Sequence, residues 1–507
     1  MLVACAGGLL SLSSGRATPP SGAENTAIVA QNLGPSASTI QMEYYDSDGE
    51  LIPGVTRTET NVPAGGSRTF DQLTETGLPD GFQGIGVLNS DQPIGAVLQR
   101  RILDGAGNYS LGAILAPNSA WSSLAFPILL NNFSSDQYNS RFVVTNVGTT
   151  VACLRIRYAV TASLGTAPVG SSIVDAPSAT SASCPVGYTL AAGAQLYFGD
   201  SDNAKPFLPQ LAATQLAATV DVINVSSTNP IAGTADLFRS DGNRLLGSYS
   251  AFGISATNPA TDDVGTDVVV PLAIKHRSGY YSVIGVQNLG ASAADIRIRY
   301  LGATEGGIPV DTTVTLPNVN QAAFHSTYDE STPIPLDFVG YAVVSSSQPV
   351  AALLIRGKQT VYQSGLNEPI YTAVNGTPRE NGATKASLPI IYRRFEKANA
   401  SFIGWNSWIQ VQVADGSTAT VTLRFVGDPT AGCPVGPYTS TATVNGSKVF
   451  YMNADTDNGF PAGQSPVCFK GGAQITSNKP LIVISNMSTD TYIDGDGEAL
   501  YEAIPGN

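Results

Sequence analysis

The same short apolar segment returns four times along this chain. It runs Ala27-Ile28-Val29-Ala30-Gln31-Asn32-Leu33-Gly34, then Phe142-Val143-Val144-Thr145-Asn146-Val147-Gly148, then Val283-Ile284-Gly285-Val286-Gln287-Asn288-Leu289-Gly290 and, more degenerately, Trp408-Ile409-Gln410-Val411-Gln412-Val413. An alternating pattern follows each copy. Ile40-Met42-Tyr44, Leu154-Ile156-Tyr158, Ile296-Ile298-Tyr300 and Val421-Leu423-Phe425 fall on one face, with Gln41, Arg155, Arg297 and Thr422 on the other. Period two marks a half-buried β-strand, so the first set is predicted to face a core. Further on comes a second marker: Ser90-Asp91-Gln92-Pro93-Ile94, Ser227-Thr228-Asn229-Pro230-Ile231, Ser346-Ser347-Gln348-Pro349-Val350 and Ser477-Asn478-Lys479-Pro480-Leu481. Its prolines lie 119 to 137 residues apart, the spacing of whole domains rather than of solenoid turns.

Between the markers, each repeat holds seven or eight short strands separated by turn signals, and no sustained 3.6-residue period predicts a helix. In the third repeat, Phe338–Val344 meets the Ser-Gln-Pro turn and Val350–Ile355 is expected to return as its hairpin partner. The closing strands are matched at Tyr109, Tyr249, Tyr371 and Tyr501. The predicted fold is all-β: four tandem immunoglobulin-like β-sandwich modules over 22–117, 118–260, 261–380 and 381–507, after an N-terminal apolar segment, 1–21. The chain stops six residues after Tyr501, where module four is expected to stop.

One strand is missing from this scheme. Modules two, three and four open with apolar runs around a proline, Phe126-Pro127-Ile128, Val270-Pro271-Leu272 and Leu388-Pro389-Ile390, whereas module one has Thr18-Pro19-Pro20-Ser21-Gly22. An unpaired sandwich edge invites aggregation unless covered. Leu2, Val3, Leu9, Leu10 and Leu12 supply an apolar segment that can fold back onto that edge or be donated to another subunit. Two other readings of the segment stay open. It is a secretion-signal remnant, or Leu2-Val3-Ala4-Cys5 is a lipobox with Cys5 as the lipidated residue.

Charged residues make up 13% of the 507, half the usual share, and the net charge is −13. That balance excludes a nucleic-acid partner, which needs clustered Lys and Arg. No apolar run reaches the roughly 20 residues of a membrane span. Of five cysteines, Cys153 and Cys184 fall in module two and Cys433 and Cys468 in module four. No CxxC spacing or His pair suggests zinc, so two intramodular disulfides are predicted, each worth about 3–4 kcal/mol. Disulfides imply an extracytoplasmic location.

Candidate chemistry is sparse. The histidines, His276 and His325, are not in a catalytic motif, and no phosphate loop or nucleophile elbow is present, so an enzyme is not expected. No cofactor is expected except calcium, for which Asp46, Asp48 and Glu50, and Asp490, Asp494, Asp496 and Glu498, place oxygen ligands on alternate residues. Asp-Gly hairpin turns have the same appearance. Asp455 and Asp457 occupy a similar acidic loop of module four. Trp405 and Trp408 are candidates for stacking on a glycan, with at least one of them expected in the core.

The motif set resembles the repeat modules of secreted surface proteins common in Chloroflexota, the filamentous green non-sulfur bacteria. The resemblance is carried by Leu388-Pro389, Gly404-Trp405-Asn406-Ser407, Val286-Gln287-Asn288-Leu289-Gly290, Tyr44-Tyr45-Asp46, Leu78-Pro79-Asp80-Gly81-Phe82-Gln83-Gly84 and Ser90-Asp91-Gln92-Pro93-Ile94. It implies a secreted surface role and no chemistry. Module four departs from it, with Val413-Ala414-Asp415-Gly416 in place of the Asn-Leu-Gly turn. The expected function is a secreted, non-enzymatic structural protein at the cell surface. It would self-associate through module–module contacts and form or decorate a filament, sheath or surface layer. The alternative is a lipid-anchored monomeric adhesin or glycan-binding protein, with other surface proteins or glycans as partners.

Overall fold

The computed structural model describes residues 9–12, 23–79, 81–103, 109–116, 121–131, 133, 138–163, 169, 172–175, 178–181, 184–199, 216–224, 230–239, 244–255, 262–329, 331–358, 370–396, 404–489 and 495–506. Module three shows the common plan. Its strands run Gly265–Arg277, Tyr280–Asn288, Ala294–Ala303, Pro309–Val319, Ala322–Ser326, then Phe338–Lys358, which serves as both sixth and seventh, and Ile370–Asn375. Numbered in that order they form two sheets, 4-3-6-1 and 5-2-7-8. Module one, opening at Leu9–Leu12, module two, opening at Ser123–Asn131, and module four, opening at Ala383–Arg393, repeat both orders. The alternating residues from Ile40 to Phe425 named above all have 0% exposure and fill the gap between the sheets.

The fold is all-β, but the immunoglobulin strand order is corrected. An immunoglobulin domain puts strand one beside two and seven beside six. Here one lies beside six, with only a short pairing to two at the Arg277–Tyr280 turn of module three, and seven lies beside two. The cause is the proline marker, which is a bend and not the expected hairpin. Phe338–Lys358 and Phe469–Thr489 are single 21-residue strands whose halves belong to opposite sheets. At the bend proline brings no N–H to a ladder. Gln348 N bonds Ser346 Oγ at 3.2 Å, and Pro349 O accepts from Leu289 N at 2.9 Å. The chain therefore crosses to the other sheet beside strand two.

The two recurring motifs are one unit. Asn288 Nδ2 donates to the carbonyls of Ser292, Val319 and Asn320 at 2.8, 2.9 and 3.2 Å, and its Oδ1 accepts from Gly290 N at 2.9 Å. Asn32 and Asn146 tie the corresponding turns of modules one and two in the same way. A Cβ on Gly290 would stand 2.2 Å from Gln348 Oε1, so the glycine of one motif admits the glutamine of the other. In module four Lys479 replaces the glutamine and reaches Asp415 at 3.3 Å. Asn288→Ala is expected to lower unfolding free energy by about 2 kcal/mol in urea titration, because buried carbonyls lose their donor; a loss within error would count against the staple.

The four modules close into a ring. Their final strands, Tyr109–Leu115, Arg244–Ser250, Ile370–Asn375 and Glu498–Glu502, contact one another in cyclic order, and the fourth contacts the first. Gly495 and Asp496 pair in parallel with Tyr109 and Ser110, completing the circle. Backbone bonds from Ala116 to Ala96, Ala251 to Gly233, Gly376 to Ala352 and Ala503 to Val483 set the true equivalence. By this register Tyr249 and Tyr501 correspond to Ile114 and Val374, which corrects the matching of Tyr109 and Tyr371. Leu115, Ser250, Asn375 and Glu502 are then equivalent residues, and they bond around the axis. Ser250 Oγ donates to Leu115 O at 2.9 Å, Asn375 Nδ2 to Ser250 O at 2.9 Å, and Asn375 N to Glu502 Oε1.

Strand two of each 5-2-7-8 sheet, and the half of strand seven beside it, is consequently buried on both faces. Ile28 and Ala30 face the module-one core, whereas Val29 and Val97 pack with module four. Ala351, Leu353 and Ala373 join the module-two core, and Ile484 and Leu500 join that of module three. This is why strand two reads as a continuous apolar run and strand three alternates. Gly95 marks one close approach, since a Cβ there would sit 2.1 Å from Ile504 Cδ1 of module four.

Leu9–Leu12 pair antiparallel with Gly84–Val87, so within this chain the N-terminal segment supplies the strand that module one lacks. Leu2, Val3 and Cys5 lie outside the described residues. Both disulfides are formed, Cys153–Cys184 and Cys433–Cys468. No helix among the described residues is long and apolar enough to cross a membrane.

Candidate functional site

Where the four modules meet there is a cavity of about 620 Å³ with lining residues from all of them. Its size suits a small molecule. Leu115 comes from the end of the module-one closing strand, and Trp121 and Phe252 from the two ends of module two. Asp263 and Asn375 come from module three, and Ile482 and Glu502 from module four. The Trp121 ring is fixed against Gly253, where a Cβ would fall 2.0 Å from an indole carbon, and its backbone is bridged to Ile231 at 2.8 and 3.0 Å. Lys385 lines the same cavity with its side chain exposed.

Two carboxylates dominate the electrostatics. Asp263 Oδ2 accepts from Gly253 N at 2.9 Å, and Glu502 Oε1 accepts from Asn375 N. Burial, with smaller contributions from the charges of Glu502 and Asp262, raises Asp263 to about 7. Burial likewise raises Glu502 to about 7. Neither forms an ion pair with a Lys or Arg among the described residues. Sequence reasoning missed both, because neither lies in a recurring motif. The available signal was the continuous apolar run of strands two and seven, which requires something to cover the outer face.

The residues singled out in the sequence are dispersed. Asp46 Oδ1 accepts from the backbone of Asp48 at 3.0 Å and Glu50 at 2.9 Å, so it ties a turn. Glu498 points into the module three–four interface, where it pairs with Arg356 and accepts from Tyr280 OH. Asp496 takes part in the backbone pairing with Ser110, and Asp490 and Asp494 lie outside the described residues. Asp455 pairs with Arg394 at 2.8 Å and Asp457 with Lys448 at 2.7 Å. Among the described residues no three His, Cys, Asp or Glu side chains converge to hold a metal. Trp405 is buried beside Tyr392, whereas Trp408, three residues on, faces the other way and lines a cleft of about 230 Å³ with Tyr280 and Tyr451. The two indoles therefore do not share a platform. His325 is buried, with Nδ1 2.6 Å from Tyr300 OH, and burial lowers its pKa. His276 Nε2 lies 3.3 Å from Tyr328 O.

No family model matches the chain, and no curated protein matches it. Among solved structures it is similar to Thermotoga maritima 1070, at 20% identity over 23% of this chain and 96% of that one, with a TM-score of 0.18. It is also similar to a tetra-tandem repeat in the extending region of a large adhesion protein, at 12% identity over 94% of both chains and a TM-score of 0.11. A family 32 glycoside hydrolase from Bifidobacterium adolescentis gives 9% identity over 94% of this chain and 98% of that one, with a TM-score of 0.14. These scores carry no argument about function.

Proposed function

We propose that this protein is a non-enzymatic, extracytoplasmic surface protein that acts as one compact binding ring, with the axial cavity as its site. The observation that carries this reading is the cyclic contact of the four closing strands. It uses up, inside one chain, the module-to-module surfaces that a filament would need. Two disulfides accord with an oxidising compartment, as does the likeness of the motifs to Chloroflexota surface modules. Light scattering on the full oxidised chain is expected to give the mass of a single chain at all concentrations. A concentration-dependent ladder of higher masses would sink the reading.

A second reading, a strand-exchanged polymer, draws on one observation. The opening strand of module one, described over Leu9–Leu12, lies at the start of the chain and pairs with Gly84–Val87. It is joined to the body through residues 13–22. Deleting residues 1–12 separates the two. The ring reading expects the deletion to expose the Gly84–Ser90 edge and to increase association. The polymer reading expects assemblies of the native chain to disappear.

A further inference from the structure

We propose that the cleft between modules three and four binds a single pyranose ring, the terminal sugar of a glycan. This site shares no lining residue with the axial cavity and goes beyond the binding-ring reading. One wall comes from two adjacent strands of module four, Trp405–Val413 and Ser447–Tyr451. Trp408 and Tyr451 stand directly opposite each other there, and Gln410 and Val449 form the next pair on the same face. Module three supplies the facing wall with Leu272, Ile274 and Tyr280. Trp408 is half-buried and Tyr451 is 53% exposed, so the cleft offers aromatic surface to solvent. A second observation points to a ligand. Gln410 is 1% exposed, and although its Nε2 donates to Pro271 O of module three, its Oε1 has no partner. Arg356, 3% exposed, pairs with Glu498 through Nη2 and leaves its Nε without a partner. One buried acceptor and one buried donor thus belong to the lining of this cleft and are left unanswered by the chain, which is costly away from water.

The walls narrow the class. The Arg356 guanidinium stands 4.8 Å from the centre of the Tyr280 ring and 5.8 Å from that of Trp408, and Lys358 Nζ stands 4.7 Å from that of Tyr280. Cations of the chain itself therefore already occupy these rings, which disfavours a cationic ligand. A purely apolar ligand would leave Gln410 Oε1 and Arg356 Nε as they are. A sugar answers both demands, since each hydroxyl both donates and accepts while the C–H faces of the ring lie against aromatic side chains. The volume of about 230 Å³ falls below the roughly 300–1,000 Å³ of pockets for drug-sized molecules, so one ring fits and the rest of a glycan extends past exposed Tyr451. Tyr280 OH donates to Glu498 Oε1 at 2.5 Å, and with the Arg356 pair this fixes the polar part of the cleft before a ligand arrives.

The test is calorimetric titration of the full oxidised chain with the methyl glycosides of glucose, galactose, mannose and N-acetylglucosamine, each up to about 50 mM, a range that covers millimolar affinities. Phenol, a ring without the hydroxyl rim, and glycerol, hydroxyls without a ring, serve as comparison probes. At least one glycoside is expected to bind saturably, one per chain, and more tightly than either comparison probe. Its affinity should fall about fivefold or more in Tyr451→Ala, which removes an aromatic wall, and in Gln410→Met, which removes the buried acceptor at similar volume. Tyr451 is exposed, so Tyr451→Ala is expected to fold, as circular dichroism would verify, and it decides alone if Gln410→Met does not. The Asp263→Asn/Glu502→Gln variant of the axial cavity should bind the glycoside as the native chain does. Absence of binding by all four glycosides, equal binding of phenol or glycerol, full affinity in folded Tyr451→Ala, or loss of binding in the cavity variant would each overturn the proposal.

Discussion

Asp236→Ala is expected to lower the unfolding free energy by about 3–5 kcal/mol, the usual result of removing one partner from a buried ion pair. Asp236 stands at the contact between modules one and two. Arg100 of module one, 1% exposed, approaches its Oδ2 at 2.5 Å, and Arg141 of module two approaches the same oxygen at 2.8 Å. Ser248 Oγ donates to Oδ1 at 2.7 Å. Burial opposes ionisation of this carboxyl, but the two guanidinium groups outweigh it and hold its pKa well below the usual carboxylate range. Alanine would leave Arg100 charged and buried across the interface. Arg356 and Glu498 repeat the arrangement between modules three and four, with Arg356 at the position after the bend that Arg100 occupies in module one. Urea unfolding followed by tryptophan fluorescence checks the prediction. A closed ring should lose stability as a unit, so the whole transition should move to lower urea. If only a fraction of the signal moves, the modules unfold independently and the cyclic contacts do not couple them.

The second large effect is on pH dependence. Asp263 and Glu502, both at about 7 in the fold, have ordinary values of 3.8 and 4.5. Between those limits the folded ring retains protons that the unfolded chain has released. Stability therefore falls as pH rises, in proportion to that difference in bound protons. Their contribution is complete below about pH 4 and is lost by the time pH passes about 7. Each group should account for something on the order of 2 kcal/mol, after allowing for screening by water in the cavity. Asp236 acts in the opposite direction and in a different window, losing its contribution only as pH falls below about 4. Thermal melts from pH 5 to pH 8 should show a falling midpoint in the native chain and a nearly flat one in Asp263→Asn/Glu502→Gln. A native midpoint that rises over this range would mean that the fold does not raise the two carboxyls.

Much of the fold was legible in the chain. Ile296, Ile298 and Tyr300 alternate with charged neighbours, and a strand with one wet face must alternate because successive side chains point to opposite sides. The cysteines pair within modules, as their placement implied. The edge that module one lacks is met by Leu9–Leu12, because an apolar segment near an open edge finds backbone partners there. The bend at Ser-x-Gln-Pro was misread, since a turn signal marks a change of direction without saying which sheet receives the chain. The candidate site was hardly legible at all. Glu498 resembled a turn ligand and proved to be the half-buried partner of buried Arg356. Trp408 resembled one half of a sugar platform and proved to line an interface cleft without Trp405.

By itself, the sequence determined the number of modules, the faces of their alternating strands, the asparagine turns and the cysteine pairs. All of these follow from local periodicity or from motifs that recur in each repeat. The tertiary structure alone decided that the modules form a ring, that strand seven lies beside strand two, and that Asp263 and Glu502 share one cavity. Those outcomes depend on which apolar faces cover one another across hundreds of residues. Burial away from water, and not any local pattern, is what raises the two carboxyls to about 7 at the centre of the ring.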